Sequence, residues 1–308
     1  MKMLSEYVDG EHISGQFLVS SVTKGTNATG NQYLNIDLRD SSTNMNAKKW
    51  EVSGRDEEIV VTGNVIHIEG EVLKYKETLQ IKLLSVREVS LEEVDPSKFL
   101  KQPPIPKDEL VKKFNGYVES VNDKDCRALL EYFIKKYSNS LYEYPAASSI
   151  HHEYSSGLLV HCTTMAEIAD KLCSIYPVNR DIVITSILLH DFGKMTELEG
   201  PIVYKYSTKG KLIGHISIMA AEIDNAAKEL GLTSEIPLLL QHSILSHHGQ
   251  LDFGSPVLPE TAEALMLSLI DNLDSKMVIT LKALEETKEG EFTNKVYPLD
   301  GRTFYKHK

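Results

Sequence analysis

Hydrophobic and polar residues alternate one for one through the first quarter of the chain. "QYLNIDLR" (32–39) puts Leu34, Ile36 and Leu38 on one side and polar residues on the other, and "NVIHIEGEV" (64–72) repeats the pattern. A period of two belongs to strands with one buried face. Segments of this kind, rich in Val, Ile, Leu, Thr and aromatics, run from about 12 to 90. Turn signals separate them: Lys24-Gly25, Thr29-Gly30-Asn31, Asp40-Ser41-Ser42 and Gly63-Asn64. The pattern predicts five or six short strands closed into a small antiparallel barrel.

The period then changes. "DPSKFLKQPPIPKDEL" (95–110) holds Pro103, Pro104 and Pro106 and reads as an extended connector. From about 108 the apolar positions recur at helical spacing. Leu110, Phe114, Val118 and Val121 share one stripe, and Leu129, Leu130, Phe133 and Ile134 share another. Further helices are expected at about 157–174, 180–191, 212–230, 235–247 and 260–284. Asn179, Gly231 and Pro259 mark a start, an end and a start. The chain is therefore multidomain, α and β. A barrel of residues 1–94 precedes a connector (95–110), an all-α domain (111–290) and a polar, aromatic tail (291–308). The barrel pattern resembles an OB-fold, whose strand face and loops bind oligonucleotides.

The 308 residues suffice for two domains with cores of their own, and 42% hydrophobic with 25% charged residues is ordinary for a soluble globular protein. No apolar run is long enough to span a bilayer, and the N-terminus has no apolar signal segment, so a cytoplasmic protein without a membrane partner is expected. The three cysteines, Cys126, Cys162 and Cys173, lack metal-ligand spacing and read as reduced core residues. A net charge of −11 counts against nonspecific duplex binding, but leaves room for a local basic groove taking a single strand. In the barrel, Tyr33, Trp50 and Tyr75 are candidates to stack bases. Lys48, Lys49, Lys74 and Lys76 are candidates to hold phosphates, against the plainer reading of core aromatics and a solvated hairpin.

The chemistry concentrates in the histidines. Of 11, eight lie between 151 and 248. The run "ILLHDFGK" (187–194) ends an aliphatic stretch in His190-Asp191, and buried imidazoles and carboxylates need partners or a metal. His161 follows "SGLLV", His215 follows "KLIG", His247-His248 follow "HSILS" and Asp271 follows "LMLSLI". Imidazole and carboxylate together suit divalent transition metals, and one shared aspartate can bridge two ions. Taken singly, each histidine reads more naturally as a core or surface residue. Taken as an ordered set they point to a metal site. His242 reads as structural. His151 and His152 either approach a substrate phosphate or cap a helix, with His152 slightly favoured.

The ordered set, with "HDFGK", "GHIS", "SHHG" and "IDNLDSKM", resembles the HD superfamily of metal-dependent phosphohydrolases over residues 145–285. The resemblance implies one ion held by His161, His190, Asp191 and Asp271. It implies a second ion sharing Asp191 and held by His215, His247 and His248. It also implies that Lys194 contacts the scissile phosphate and that a metal-activated water is the nucleophile. An OB-like barrel preceding such a domain, with "YPAASSIHHEYSSGLLVH", "LLHDFGKMTELEGP", "LLLQHSILSHHGQLDFGSP" and "YPLDGRTFYK", is similar to the YhaM family of 3′→5′ exoribonucleases. That resemblance implies a Mn²⁺-favouring exonuclease on single-stranded RNA, and in some members single-stranded DNA, releasing nucleoside 5′-monophosphates. A hydrolase of small nucleotides or cyclic dinucleotides, and a non-catalytic single-strand-binding protein, are the alternatives. The sequence leaves a homo-oligomer open.

Overall fold

The computed structural model describes residues 2–27, 30–90, 93–95, 98–99, 105–138, 140–142, 144, 156–200 and 204–308. His151, His152 and the Pro103-Pro104 part of the connector lie outside them. Two compact units form: Met1–Gln102 with Gly200–Lys205, and Pro103–Glu199 with Tyr206–Lys308.

The first unit is a closed five-stranded barrel. β1 (His12–Thr26), β2 (Gln32–Arg39), β3 (Asn44–Trp50), β4 (Val65–Tyr75) and β5 (Thr78–Glu88) close in the order β1-β2-β3-β5-β4. All pairings are antiparallel except β3 with β5, which run parallel and complete the ring. The sequence pattern identifies strands but not this parallel closure, since alternation is the same in either direction. Inward residues of every strand, among them Phe17, Ile36, Ala47, Ile68 and Ile81, fill one core, and Leu4 from the N-terminal turn plugs it. A short helix, α1 (Gly54–Ile59), bridges β3 and β4. Ser53 caps it by accepting from the Asp56 N–H, and the Asp56 side chain returns the bond.

The second unit is helical: α2 (Lys107–Ser120), α3 (Lys124–Lys136), α4 (Gly157–Cys173), α5 (Arg180–Leu189), α6 (Lys194–Glu197), α7 (Thr208–Ile213), α8 (His215–Glu229), α9 (Ile236–Ser246) and α10 (Ala262–Glu285). α5 is apolar around its circumference. Ile182 to Leu189 are all buried, because α3, α4, α9 and α10 surround it. Asn179 caps α5 by accepting from the Asp181 and Ile182 N–H groups. The helix expected over 212–230 is interrupted. Gly214, at φ +77°, breaks the chain between α7 and α8, so that His215 opens a helix instead of lying inside one. α10 starts at Ala262, with Thr261 and not Pro259 at its cap. The tail folds back on itself through isolated bridges Phe292–Tyr305 and Val296–Arg302. Cys126 and Cys162 are buried thiols and Cys173 is half-buried, with no disulfide among them. Burial pushes the Cys126 thiol up to about 12. No helix among the described residues is long and apolar enough to cross a membrane.

Candidate metal centre

The histidines reach one point because they sit at helix ends. His190 caps the C-terminus of α5 and His247 that of α9. Both use the same device: Nδ1 donates to a carbonyl of the last turn, Ile187 O at 2.8 Å and Ile244 O at 2.7 Å. The last carbonyls of a helix lack partners, so the cap satisfies the helix and fixes the ring together. His248 Nδ1 donates to Phe253 O at 2.7 Å. His215, first residue of α8, is held twice by Glu197: its backbone N–H and its Nδ1 both reach Oε1, at 2.9 and 3.1 Å. His161, in the second turn of α4, donates from Nδ1 to Asp274 Oδ2 at 2.7 Å. Carbonyls and ionised carboxylates only accept, so all five Nδ1 atoms carry the proton and every Nε2 is left to face the middle.

Asp191 sits at that middle. Its Oδ2 lies 3.3 Å from His190 Nε2 and 3.9 Å from His161 Nε2, while Oδ1 lies 3.5 Å from His215 Nε2 and 4.0 Å from His247 Nε2. The two carboxylate oxygens thus face two different histidine groups. His161, His190 and Asp191 form one set of close donor atoms, and His215, His247 and His248 a second. Asp271 Oδ1 stands 3.2 Å from His161 Nε2 and 4.0 Å from His190 Nε2. Lys194 Nζ donates to Asp191 Oδ2 at 2.7 Å.

The charges respond to this crowding. Burial would raise the Asp191 carboxyl, but Lys194 and His190 hold it well below the usual carboxylate range. Asp271 is likewise held low, by His161 and its neighbours against burial. Burial would discharge His161, yet hydrogen bonds to Asp271 and Asp274 raise its pKa to about 9. Burial keeps His247 well toward the neutral form and pushes His248 in the same direction.

These residues fit a divalent metal. The buried atoms His190 Nε2, Asp191 Oδ1, His215 Nε2 and His247 Nε2 have no hydrogen-bond partner among the described residues. Four orphaned acceptor-capable atoms aimed at one point are costly unless they bind a cation. The glycine of "HDFGK" serves the same assembly. A Cβ on Gly193 would overlap the backbone carbonyl of His215, so only glycine lets α8 come this close to the His190-Asp191 turn. Gly193→Ala is expected to cost about 1–3 kcal/mol of stability by overpacking. Thermal denaturation with and without metal should show it, the variant gaining less from the metal.

The family model of the HD domain matches residues 158–276. The 3′-5′ exoribonuclease YhaM of Geobacillus sp. (strain WCH70) is 39% identical over 307 residues, 99% of this chain and 95% of that protein. The chain belongs to the YhaM family. Among solved structures, similarity extends to the second OB-fold domain of replication protein A from Methanococcus maripaludis (15% identical, 29% of this chain, 94% of that one, TM-score 0.25). It extends also to the mitochondrial single-stranded DNA binding protein Rim1 of S. cerevisiae (20% identical, 27% of this chain, 98% of that one, TM-score 0.24).

In this YhaM-family chain two further carboxylates, Asp274 and Glu197, serve the site without standing out in the sequence. Asp274 lies within "IDNLDSKM", three after Asp271, and Glu197 follows Asp191 by six. Neither faces the middle, and both orient a histidine that does. The i,i+3 spacing on α10 was the available signal for Asp274. The spacing of Glu197 carries none, because the histidine it holds lies 18 residues further along the chain. Asp274→Asn and Glu197→Gln are each expected to weaken metal binding by about 10–100-fold, the usual cost of losing an orienting carboxylate. Calorimetric titration with Mn²⁺ measures it. His242 is placed apart: its Nε2 accepts from the Glu260 N–H at 2.9 Å.

In the barrel, Tyr33 and Trp50 pair across β2 and β3, with ring centroids 4.8 Å apart. Lys48 Nζ lies 5.4, 5.9 and 5.9 Å from the centroids of Tyr33, Trp50 and Tyr75. Lys48 therefore joins the three aromatics on one outer face. Lys74 is exposed with Nζ 3.8 Å from Glu77, Lys76 lies over Tyr75 alone, and Lys49 turns back to the Trp50 carbonyl and Asp56.

Proposed function

We propose that this chain is a metal-dependent 3′→5′ exoribonuclease of the cytoplasm. It shortens single-stranded RNA, with single-stranded DNA as a second substrate, to nucleoside 5′-monophosphates in RNA degradation. The observation that carries the reading is Asp191, whose two buried oxygens each face a separate group of inward Nε2 atoms. His161, His190, Asp191 and Asp271 would hold one divalent ion, and Asp191, His215, His247 and His248 a second. Mn²⁺ suits a mixed imidazole and carboxylate set. Such ions, when bound, supply the Lewis acidity that makes water nucleophilic near neutral pH and offsets charge on the phosphoryl oxygens.

The chain's own groups do the rest. Asp274 and Glu197 hold the His161 and His215 rings in one tautomer, so no reorganisation is needed as the reaction proceeds. Burial works against the charge on Lys194, but Asp191 raises its pKa, so Nζ stays protonated at neutral pH. Lys194 therefore acts as a cation toward the scissile phosphate and as proton donor to the departing 3′ oxygen, not as a base. As water adds to phosphorus, the bond to that oxygen breaks and the 5′-phosphate stays with the released nucleotide.

Tyr33, Trp50 and Tyr75 offer stacking faces and Lys48 a phosphate contact, the combination that grips single strands without reading sequence. Trp50→Ala is expected to weaken RNA binding by about 1–3 kcal/mol, read by fluorescence anisotropy of labelled oligoribonucleotide. The activity itself is tested with 5′-labelled single-stranded RNA and Mn²⁺. A ladder shortening one nucleotide at a time, with 5′-monophosphates released, is expected. Intact RNA beside metal-loaded protein, or much faster turnover of free nucleotides, contradicts the reading.

A further inference from the structure

A cavity of about 460 Å³ opens onto Asp191 and Lys194, a size that encloses one small ligand. Beyond the metal-facing side chains, two features of its wall stand out. The first is on α10. Asn272, Ser275 and Lys276 follow Asp271 along the side of the helix that lines the cavity. At 1.5 Å per residue, Lys276 lies about 7.5 Å further along the axis than Asp271. Lys276 is exposed and forms no ion pair among the described residues, whereas Lys194 is engaged by Asp191.

The second feature is Phe253, an aromatic side chain 60% exposed at the cavity wall, with no ring contact among the described residues. Its position is fixed by a candidate metal ligand. His248 Nδ1 donates to the Phe253 carbonyl at 2.7 Å, and the His248 N–H donates to Ser255 Oγ at 3.1 Å. The ring is thus presented on a segment tied at both sides to the site, and no described residue covers it.

Resting on the exoribonuclease reading, we propose that Phe253 and Lys276 form a subsite for the nucleotide next to the scissile bond. Phe253 stacks on its base. Lys276 pairs with the neighbouring phosphodiester, the one that is not cut. The subsite makes the enzyme count phosphates. A chain with a second phosphodiester engages Lys276, while a compound with one does not, so Lys276 favours polymers over small phosphodiesters. Phe253 is indifferent to base identity, since every base offers a π face.

The test compares a dinucleoside monophosphate, with one phosphodiester, and the corresponding trinucleoside diphosphate, with two, under Mn²⁺. Wild type is expected to favour the trinucleotide at least about tenfold in kcat/KM. Lys276→Met brings that ratio toward one, and Lys276→Arg restores it. On longer RNA, Lys276→Met also makes the dependence of log kcat/KM on log salt shallower by about 0.7, the loss of one phosphate contact on a single strand. Phe253→Leu raises KM on both substrates about tenfold. A wild-type ratio in Lys276→Met overturns the proposal while leaving the exoribonuclease reading intact. Failure of the wild-type enzyme to cut either substrate or longer RNA overturns both.

Discussion

Asp191→Asn is expected to end RNA hydrolysis, lowering kcat by at least about 10³-fold, or about 4 kcal/mol. Among the described residues, no other side chain faces both histidine groups, one through each oxygen. Asparagine keeps the shape but loses the charge that would sit between two cations. The substitution also leaves the Lys194 ammonium without its partner at 2.7 Å. A buried charge stripped of its counter-charge costs about 3–5 kcal/mol, so the metal-free variant is expected to melt earlier. Asp191→Asn combined with Lys194→Met separates the two effects. The double variant recovers stability, because no unpaired charge remains, and stays inactive. Circular dichroism melts with single-turnover RNA assays measure both. Activity in either variant above about one tenth of wild type would remove Asp191 from the centre of the reaction.

Metal affinity is expected to depend steeply on pH, with a sign fixed by His161. Its folded pKa is raised to about 9 from an ordinary value near 6.5 by Asp271 and Asp274, against burial. A raised histidine pKa stabilises the metal-free fold fully below about 6.5, and this contribution is lost as pH climbs through about 9. Binding a cation at Nε2 must first remove that proton. Between pH 7 and 9 the dissociation constant for Mn²⁺ should therefore tighten about tenfold per unit, about 10² in all, and flatten above 9. His247 adds nothing in this window, since burial and the neighbouring His190 and His248 keep it neutral. Asp191 and Asp271 add nothing either, being ionised throughout. Titration calorimetry in buffers of different ionisation enthalpy should count about one proton released per protein at pH 7, with the ion that His161 would hold. An affinity independent of pH over this range would show that the metal does not displace the His161 proton. Chelation should correspondingly abolish activity and lower the melting temperature, most at high pH, where the metal-free protein has lost its His161 contribution.

Much of this was legible in the sequence, for identifiable reasons. Strand alternation placed Leu34, Ile36 and Leu38 inside the barrel because only one face of each strand is buried. Histidines ending apolar runs were readable as inward groups, since a helix that buries Ile187–Leu189 carries its C-cap into the same interior. The sequence could not show that β3 meets β5 in parallel, because pairing partners are set by three-dimensional closure and leave no local trace. Nor could it show Glu197, whose link to His215 crosses 18 residues through the break at Gly214. Lys48 was one of four candidate lysines in the sequence, among which Lys74 was the expected phosphate contact. Only the register of β3 against β2 and β5 singles Lys48 out, beside Asn35 and Lys82 and over the aromatic rings.

The claim on which the rest stands is that seven side chains from five helices and their ends enclose divalent ions. Anomalous diffraction from crystals grown with Mn²⁺, recorded at the manganese edge, tests it most directly. Anomalous density is expected between Asp191 and the Nε2 atoms of His161 and His190, and between Asp191 and those of His215 and His247. A crystal whose enzyme degrades RNA, yet whose anomalous density lies elsewhere or nowhere, would contradict it.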